Sequence, residues 1–161
     1  MYEEAFKNID DVFWKDAGCS SELDYIEQTS WILFLKYLDD YEAEKETAAI
    51  LNGETYERII DKELRWKEWA YPKTNDGKLN YDIALTGDDL LEFVNKELFP
   101  HLAGFKQSAE NPKSIDYKIG EIFSELRNKL QSGYSLRDVI NKVNDLKFLS
   151  NKEKLELSSL Y

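Results

Sequence analysis

Apolar residues along this chain recur at helical rather than strand spacing, and the pattern divides into a series of helices. Tyr2, Phe6, Ile9 and Phe13 fall four, three and four apart, which predicts a first helix over about residues 2–16. Gly18-Cys19-Ser20-Ser21 reads as a tight turn. Ser21 is a suitable N-cap for a second, long helix, with Asp24 able to reach back as a weak capping box. That helix is expected to run into the mid-forties. Ile26, Ser30, Leu33 and Tyr37 trace one face, and Trp31, Phe34, Leu35 and Leu38 widen it. Between Trp31 and Leu38 only Lys36 is strongly polar, so the segment is expected to be enclosed on nearly all sides. It is far shorter than the roughly 20 apolar residues that cross a bilayer. Tyr41 to Glu46 reads as a solvated outer end, with Asp39-Asp40 as surface charge and Asn52-Gly53 as a stop.

Further on, a short amphipathic piece from Tyr56 to Leu64 leads to Trp66 and Trp69. Residues 71–87 carry turn signals at Pro72, Asn75-Asp76-Gly77 and Gly87, and predict an irregular loop with at most a minor hairpin. Asp88 or Asp89 is the expected cap of a helix bearing Leu90, Leu91, Val94 and Leu98, which Pro100 ends or kinks. Residues 103–113 read as a polar linker. Ile119, Ile122, Phe123, Leu126 and Leu130 define an amphipathic helix stopped by Ser132-Gly133. Ser135 then caps a helix with Leu136, Val139, Ile140 and Val143 on one face. Ser150 and Glu153 form a capping box for a last helix bearing Leu155, Leu157 and Leu160, which reaches Tyr161 without a stop signal, as expected of a piece of a longer polypeptide. The whole is expected to be an all-α, or nearly all-α, bundle of six to seven helices in one domain, residues 1–161, around the Ile26–Tyr41 rod.

Composition agrees with that class. The 161 residues are one domain's worth, and 14% aromatic content supplies a generous core. Three Pro and seven Gly are too few for a turn-rich β fold. One Cys permits no internal disulfide, and the acidic, amphipathic start has no secretion-signal character, so a cytoplasmic location is expected. The net charge of −11 argues against a simple nucleic-acid binder. The charge is uneven, however: residues 1–112 hold 12 basic and 25 acidic side chains, and residues 113–161 hold nine and seven. Arg127, Lys129, Arg137, Lys142, Lys147, Lys152 and Lys154 are therefore the candidates for touching phosphates or an acidic partner, interrupted by Glu125, Asp138, Asp145 and Glu153. Trp66 and Trp69, one turn apart, are candidates for base stacking or for the core.

Catalytic chemistry is not legible. A lone His101 and a lone Cys19 cannot supply a zinc tetrad, and no calcium-loop spacing accompanies the carboxylates. Cys19 is expected to be a small residue packed under its turn. The seven glycines are isolated, so no glycine-rich cradle for a nucleotide cofactor exists. Asn111-Pro112-Lys113 lacks the second proline and the aromatic ring of an adenine-methylating motif, and reads as a turn.

Several blocks together resemble the N-terminal helical domain of the modification subunit of type I restriction–modification systems. They are Phe13-Trp14 with Ala17-Gly18, Ser20 to Ile26, Leu33 to Asp40, Trp66-Lys67-Glu68-Trp69-Ala70, Gly87 to Leu91 with Glu97-Leu98-Phe99-Pro100, and Glu156 to Tyr161. The likeness covers essentially the whole chain and about the first third of such a subunit. It implies a non-catalytic part of an S-adenosylmethionine-dependent DNA adenine methyltransferase, whose catalytic domain lies outside this chain. It also implies partners: a specificity subunit, a second modification subunit, a restriction subunit and double-stranded DNA, with no membrane. Two other readings stay open from the residues alone, a stand-alone helical protein-binding adaptor and an acidic DNA mimic.

Overall fold

The computed structural model describes residues 3–146, and these form an all-α fold. The segments are α1 (Glu3–Lys15), α2 (Glu22–Leu51), α3 (Trp66–Trp69), α4 (Gly87–Glu92), α5 (Phe99–Ser108), α6 (Ile115–Glu125) and α7 (Gly133–Asn144). A π-helical turn, Phe93–Leu98, joins α4 to α5, so the two form one continuous rod. That leaves six helical bodies among the described residues. The expected capping box at residues 150–153 and the last helix lie outside them.

The longest helix, α2, is seated in a phase different from the expected one. Its core face is Gln28, Trp31, Ile32, Leu35, Leu38, Asp39 and Glu42. The face traced by Ile26, Ser30 and Tyr37 is turned outward. Polar side chains placed at core positions explain the difference, because they add nothing to a hydrophobic count. Asp39 is thus buried rather than surface charge, and the Tyr41–Glu46 turn is not simply solvated. Glu42, 1% exposed, accepts hydrogen bonds from the backbone N–H of Ile59 (2.6 Å) and Ile60 (3.4 Å) and from the Tyr56 hydroxyl (3.2 Å). These bonds strap the returning chain onto α2, and Arg58 completes the strap through Glu46 (3.3 Å) and Asp39 (3.5 Å). Residues 56–61 consequently run as irregular chain, bent at Ile59 and Ile60, with a single 3-10 turn at Lys62–Leu64. The helix persists to Leu51, where Asn52 and Gly53 end it as expected.

Trp31, Phe99 and Phe123 meet edge to face at the centre, with centroids 4.9 and 5.1 Å apart. Trp66 and Trp69 extend this cluster toward Phe93. Trp14, by contrast, is 75% exposed and outside the core. Pro100 does not stop its helix. Proline lacks the N–H for an i−4 bond and its ring presses on that carbonyl, but the preceding π turn widens the coil, with Phe99 N–H bonded to Val94 O. The helix then continues to Ser108, through half of the segment expected to be a linker.

Three further boundaries moved. Thr86 occupies the N-cap position of α4, leaving Asp88 and Asp89 in the first turn, where their charge favours the helix dipole. Ser132, not Ser135, caps α7: its hydroxyl accepts from Ser135 N–H. Helix α6 ends at Glu125, so Leu130 reaches the core from extended chain. Residues 71–86 form the irregular loop foreseen, with one isolated antiparallel bridge between Lys73 and Leu79.

Candidate functional site

The extended segment 126–132 is the structural centre of the candidate surface, because three polar side chains from distant sequence hold it. Gln28 spans it: Nε2 donates to Arg127 O (3.0 Å), and Oε1 accepts from Lys129 N–H (3.1 Å) and from the Trp31 indole (2.9 Å). Asp16 accepts from Gln131 N–H (3.0 Å) and Ser132 N–H (3.1 Å) while also taking Gly18 N–H (2.8 Å). Asp24 reaches back past Ser21 to Ser20 N–H (2.8 Å) and its hydroxyl, and pairs with Lys129 Nζ at 2.5 Å. The lysine and the backbone N–H of Ser20 hold the Asp24 carboxyl down at about 2, and Asp24 in turn raises Lys129. Gly18 is required here, since a methyl group in its place would overlap the Lys129 carbonyl.

Two adjoining grooves border this clasp, separated by the Asn128–Asn95 side-chain bond of 3.2 Å. One, about 420 Å³, carries Arg127 beside Phe99, Pro100 and Phe123. The other, about 610 Å³, carries Lys129 with Asp24, Leu91 and Gln131. A third groove, about 600 Å³, lies between α1 and α7 and holds Lys15, Tyr134 and Lys142.

The candidate basic residues are therefore distributed rather than gathered. Arg127 is exposed at its groove with no ion pair among the described residues. Lys129 is committed to Asp24, and Lys142 to Asp138 at 2.5 Å. Arg137 is buried in the seam between α7 and α3. Lys147, Lys152 and Lys154 lie outside the described residues. Trp66 and Trp69, 2% and 3% exposed, leave almost no ring surface on which a base could stack. Asp16 and Gln28 escaped sequence reasoning, and Asp24 was expected only as a cap, not as the partner of Lys129. A signal existed, in that Gln28 lies three residues before Trp31 on the true core face.

Burial beside Asp16 and Asp24 pushes the Cys19 thiol up to about 11, so it is a poor nucleophile. His101 pairs with Asp61 at 3.4 Å on the surface. Among the described residues no group of three or more His, Cys, Asp or Glu side chains is placed to hold a metal. None of them builds a strand–turn–helix cradle for S-adenosylmethionine: Gly87, which opens α4, packs against Gly133 and the Tyr134 ring instead. No described helix is long and apolar enough to cross a membrane.

Residues 3–143 match the family model described as the HsdM N-terminal domain. The chain belongs to the HsdM N-terminal domain family. It is 35% identical over 156 residues to the methylase subunit of the type I restriction enzyme EcoEI from Escherichia coli, covering 96% of this chain and 29% of that subunit. A crystal structure of a modification subunit assigned to a type I restriction enzyme of Vibrio vulnificus superposes with a TM-score of 0.83 at 31% identity, over 98% of this chain and 33% of that one. A second structure, from work on complex assembly and conformational transition of the type I restriction–modification system, gives 0.73 at 31% identity, over 98% and 28%. The HsdM N-terminal domain described here thus spans a third or less of the relatives it matches. The correspondence reaches across the clasp, from Asp16 to Ser132.

Proposed function

We infer that this chain is the assembly and DNA-clamping domain of a type I modification subunit and is not catalytic by itself. The observation that carries this reading is the extent of the likeness: nearly all of this chain corresponds to about 30% of a methylase subunit. In the assembled enzyme the domain packs against a specificity subunit, a second modification subunit and a restriction subunit, and helps close the complex around double-stranded DNA. Methyl transfer from S-adenosylmethionine to adenine belongs to a separate domain. An acidic, aromatic-rich bundle suits protein contacts better than unaided duplex binding. Arg127 is the described basic residue best placed to reach a phosphate, and Lys147, Lys152 and Lys154 are offered with it. Trp14, 75% exposed on α1, is one of the aromatics open to a partner.

The test is deletion of residues 1–161 from a full-length subunit carrying them, followed by native mass measurement with the specificity subunit and DNA. The expected result is a partial assembly that no longer closes on DNA. Intact stoichiometry and DNA binding after deletion would defeat the reading, as would S-adenosylmethionine binding by this chain alone.

A further inference from the structure

Arg137 has an unusual position for a cation. Its side chain enters the seam between α7 and the chain leaving α3, is only 7% exposed, and donates through Nη2 to the Ala70 carbonyl oxygen. Nε and Nη1 are buried without a hydrogen-bond partner, and no carboxylate among the described residues lies within ion-pair distance. One turn further on, Asn141 Oδ1 is also buried and unpartnered. The next polar group in line, Asn144, is satisfied, because its Oδ1 accepts from the Trp66 indole at 2.9 Å. Burial pushes the guanidinium down to about 10, which still leaves it charged at neutral pH. A buried charge with unused donors is strongly unfavourable unless something completes it.

The geometry points to Arg137 as the receptor for a carboxylate, presented by an Asp or Glu of a protein segment that docks over the 71–86 loop. A single cation calls for a single negative charge. A duplex would bring many phosphates to a molecule of net charge −11. The covering loop favours a protein: Tyr71 and Tyr81 stand close enough to act on the guanidinium, while Tyr81 is 80% and Ile83 64% exposed. Open aromatic and aliphatic surface around a desolvated arginine is the composition of a protein contact. The loop carries its own framework of hydrogen bonds, Thr74 N–H to Lys78 O (2.8 Å), Asn80 N–H to Pro72 O (2.8 Å) and Ala84 N–H to Asn80 O (2.9 Å), so it presents a defined surface beside the seam. Rotation of the Asn141 amide then offers its NH2 to the same carboxylate. This site requires only the folded chain, so its failure leaves the assembly role untouched.

Acetate is the minimal stand-in for such a side chain. The Arg137 Nε–H signal of the whole 161-residue chain is followed by NMR during titration with sodium acetate, sodium chloride and sodium phosphate at matched ionic strength. A saturable shift with acetate alone is expected, weakened at least tenfold for a neighbouring reporter amide in Arg137→Gln. In parallel, Arg137→Met removes the incomplete charge and is expected to raise Tm by about 4 °C while abolishing the acetate response. No acetate-dependent shift, or an equal shift with chloride or phosphate, overturns the proposal. So does an Arg137→Met chain that folds but melts below the parent, since the guanidinium would then be a satisfied structural group. If Arg137→Met does not fold, the titration of the parent decides.

Discussion

Gly18 and Asp24 show how single side chains determine where segment 126–132 can lie. Gly18 admits the Lys129 carbonyl to a space that any Cβ would fill, so Gly18→Ala is expected to destabilise the fold by about 2 kcal/mol. Chemical denaturation would measure this, and an unchanged midpoint would mean that the segment can shift freely. Asp24 has a folded pKa of about 2, below the ordinary carboxylate value. Its stabilising contribution is therefore complete above the ordinary value near 4, and is lost as pH falls toward 2. Stability measured against pH should show an acid limb in that window. The limb should shrink in Asp24→Asn and in Lys129→Met, because each removes one half of the pair. Identical acid limbs in parent and variants would show that other carboxylates govern acid unfolding.

At the scale of elements, the helices were legible where their buried face is uniformly apolar. α1 is one example, through Phe6, Ile9 and Phe13, and α7 is another, through Leu136, Val139, Ile140 and Val143. α2 misled because two opposite faces carry apolar residues, while the true core face contains Gln28, Asp39 and Glu42. Helical spacing from Ile119 to Leu130 likewise hid a change to extended chain, because the bonds that cause it come from Asp16 and Gln28, about 100 residues away. The arrangement of the candidate basic residues was not legible: among the described ones Lys129 and Lys142 are paired and Arg137 is buried, because their partners come from other elements or from the next helical turn. The 56–61 strap depends on one buried carboxylate. Glu42→Ala should cost about 3 kcal/mol, since it leaves two backbone N–H groups and a hydroxyl without their acceptor, whereas Glu42→Gln should cost about 1 kcal/mol. Hydrogen exchange localises the effect. Ile59 and Ile60 amides should lose protection in Glu42→Ala, and unchanged protection would mean that the strap is held elsewhere.

The described residues form a helical body closed by its own chain. Residues 16–28 grip 127–132, and Gly87 meets Gly133 where α4 and α7 begin, so the N-terminal and C-terminal parts of the described chain form one unit. We propose that this body docks as one piece, carrying its grooves and the exposed Trp14 and Arg127 with it. The most direct measurement of that role is the dwell time of an assembled type I complex on its target duplex. It would be recorded at single-molecule resolution, with the modification subunit intact and with residues 1–161 removed. The account predicts a dissociation rate at least tenfold faster without the domain. Equal dwell times for the two complexes would contradict it.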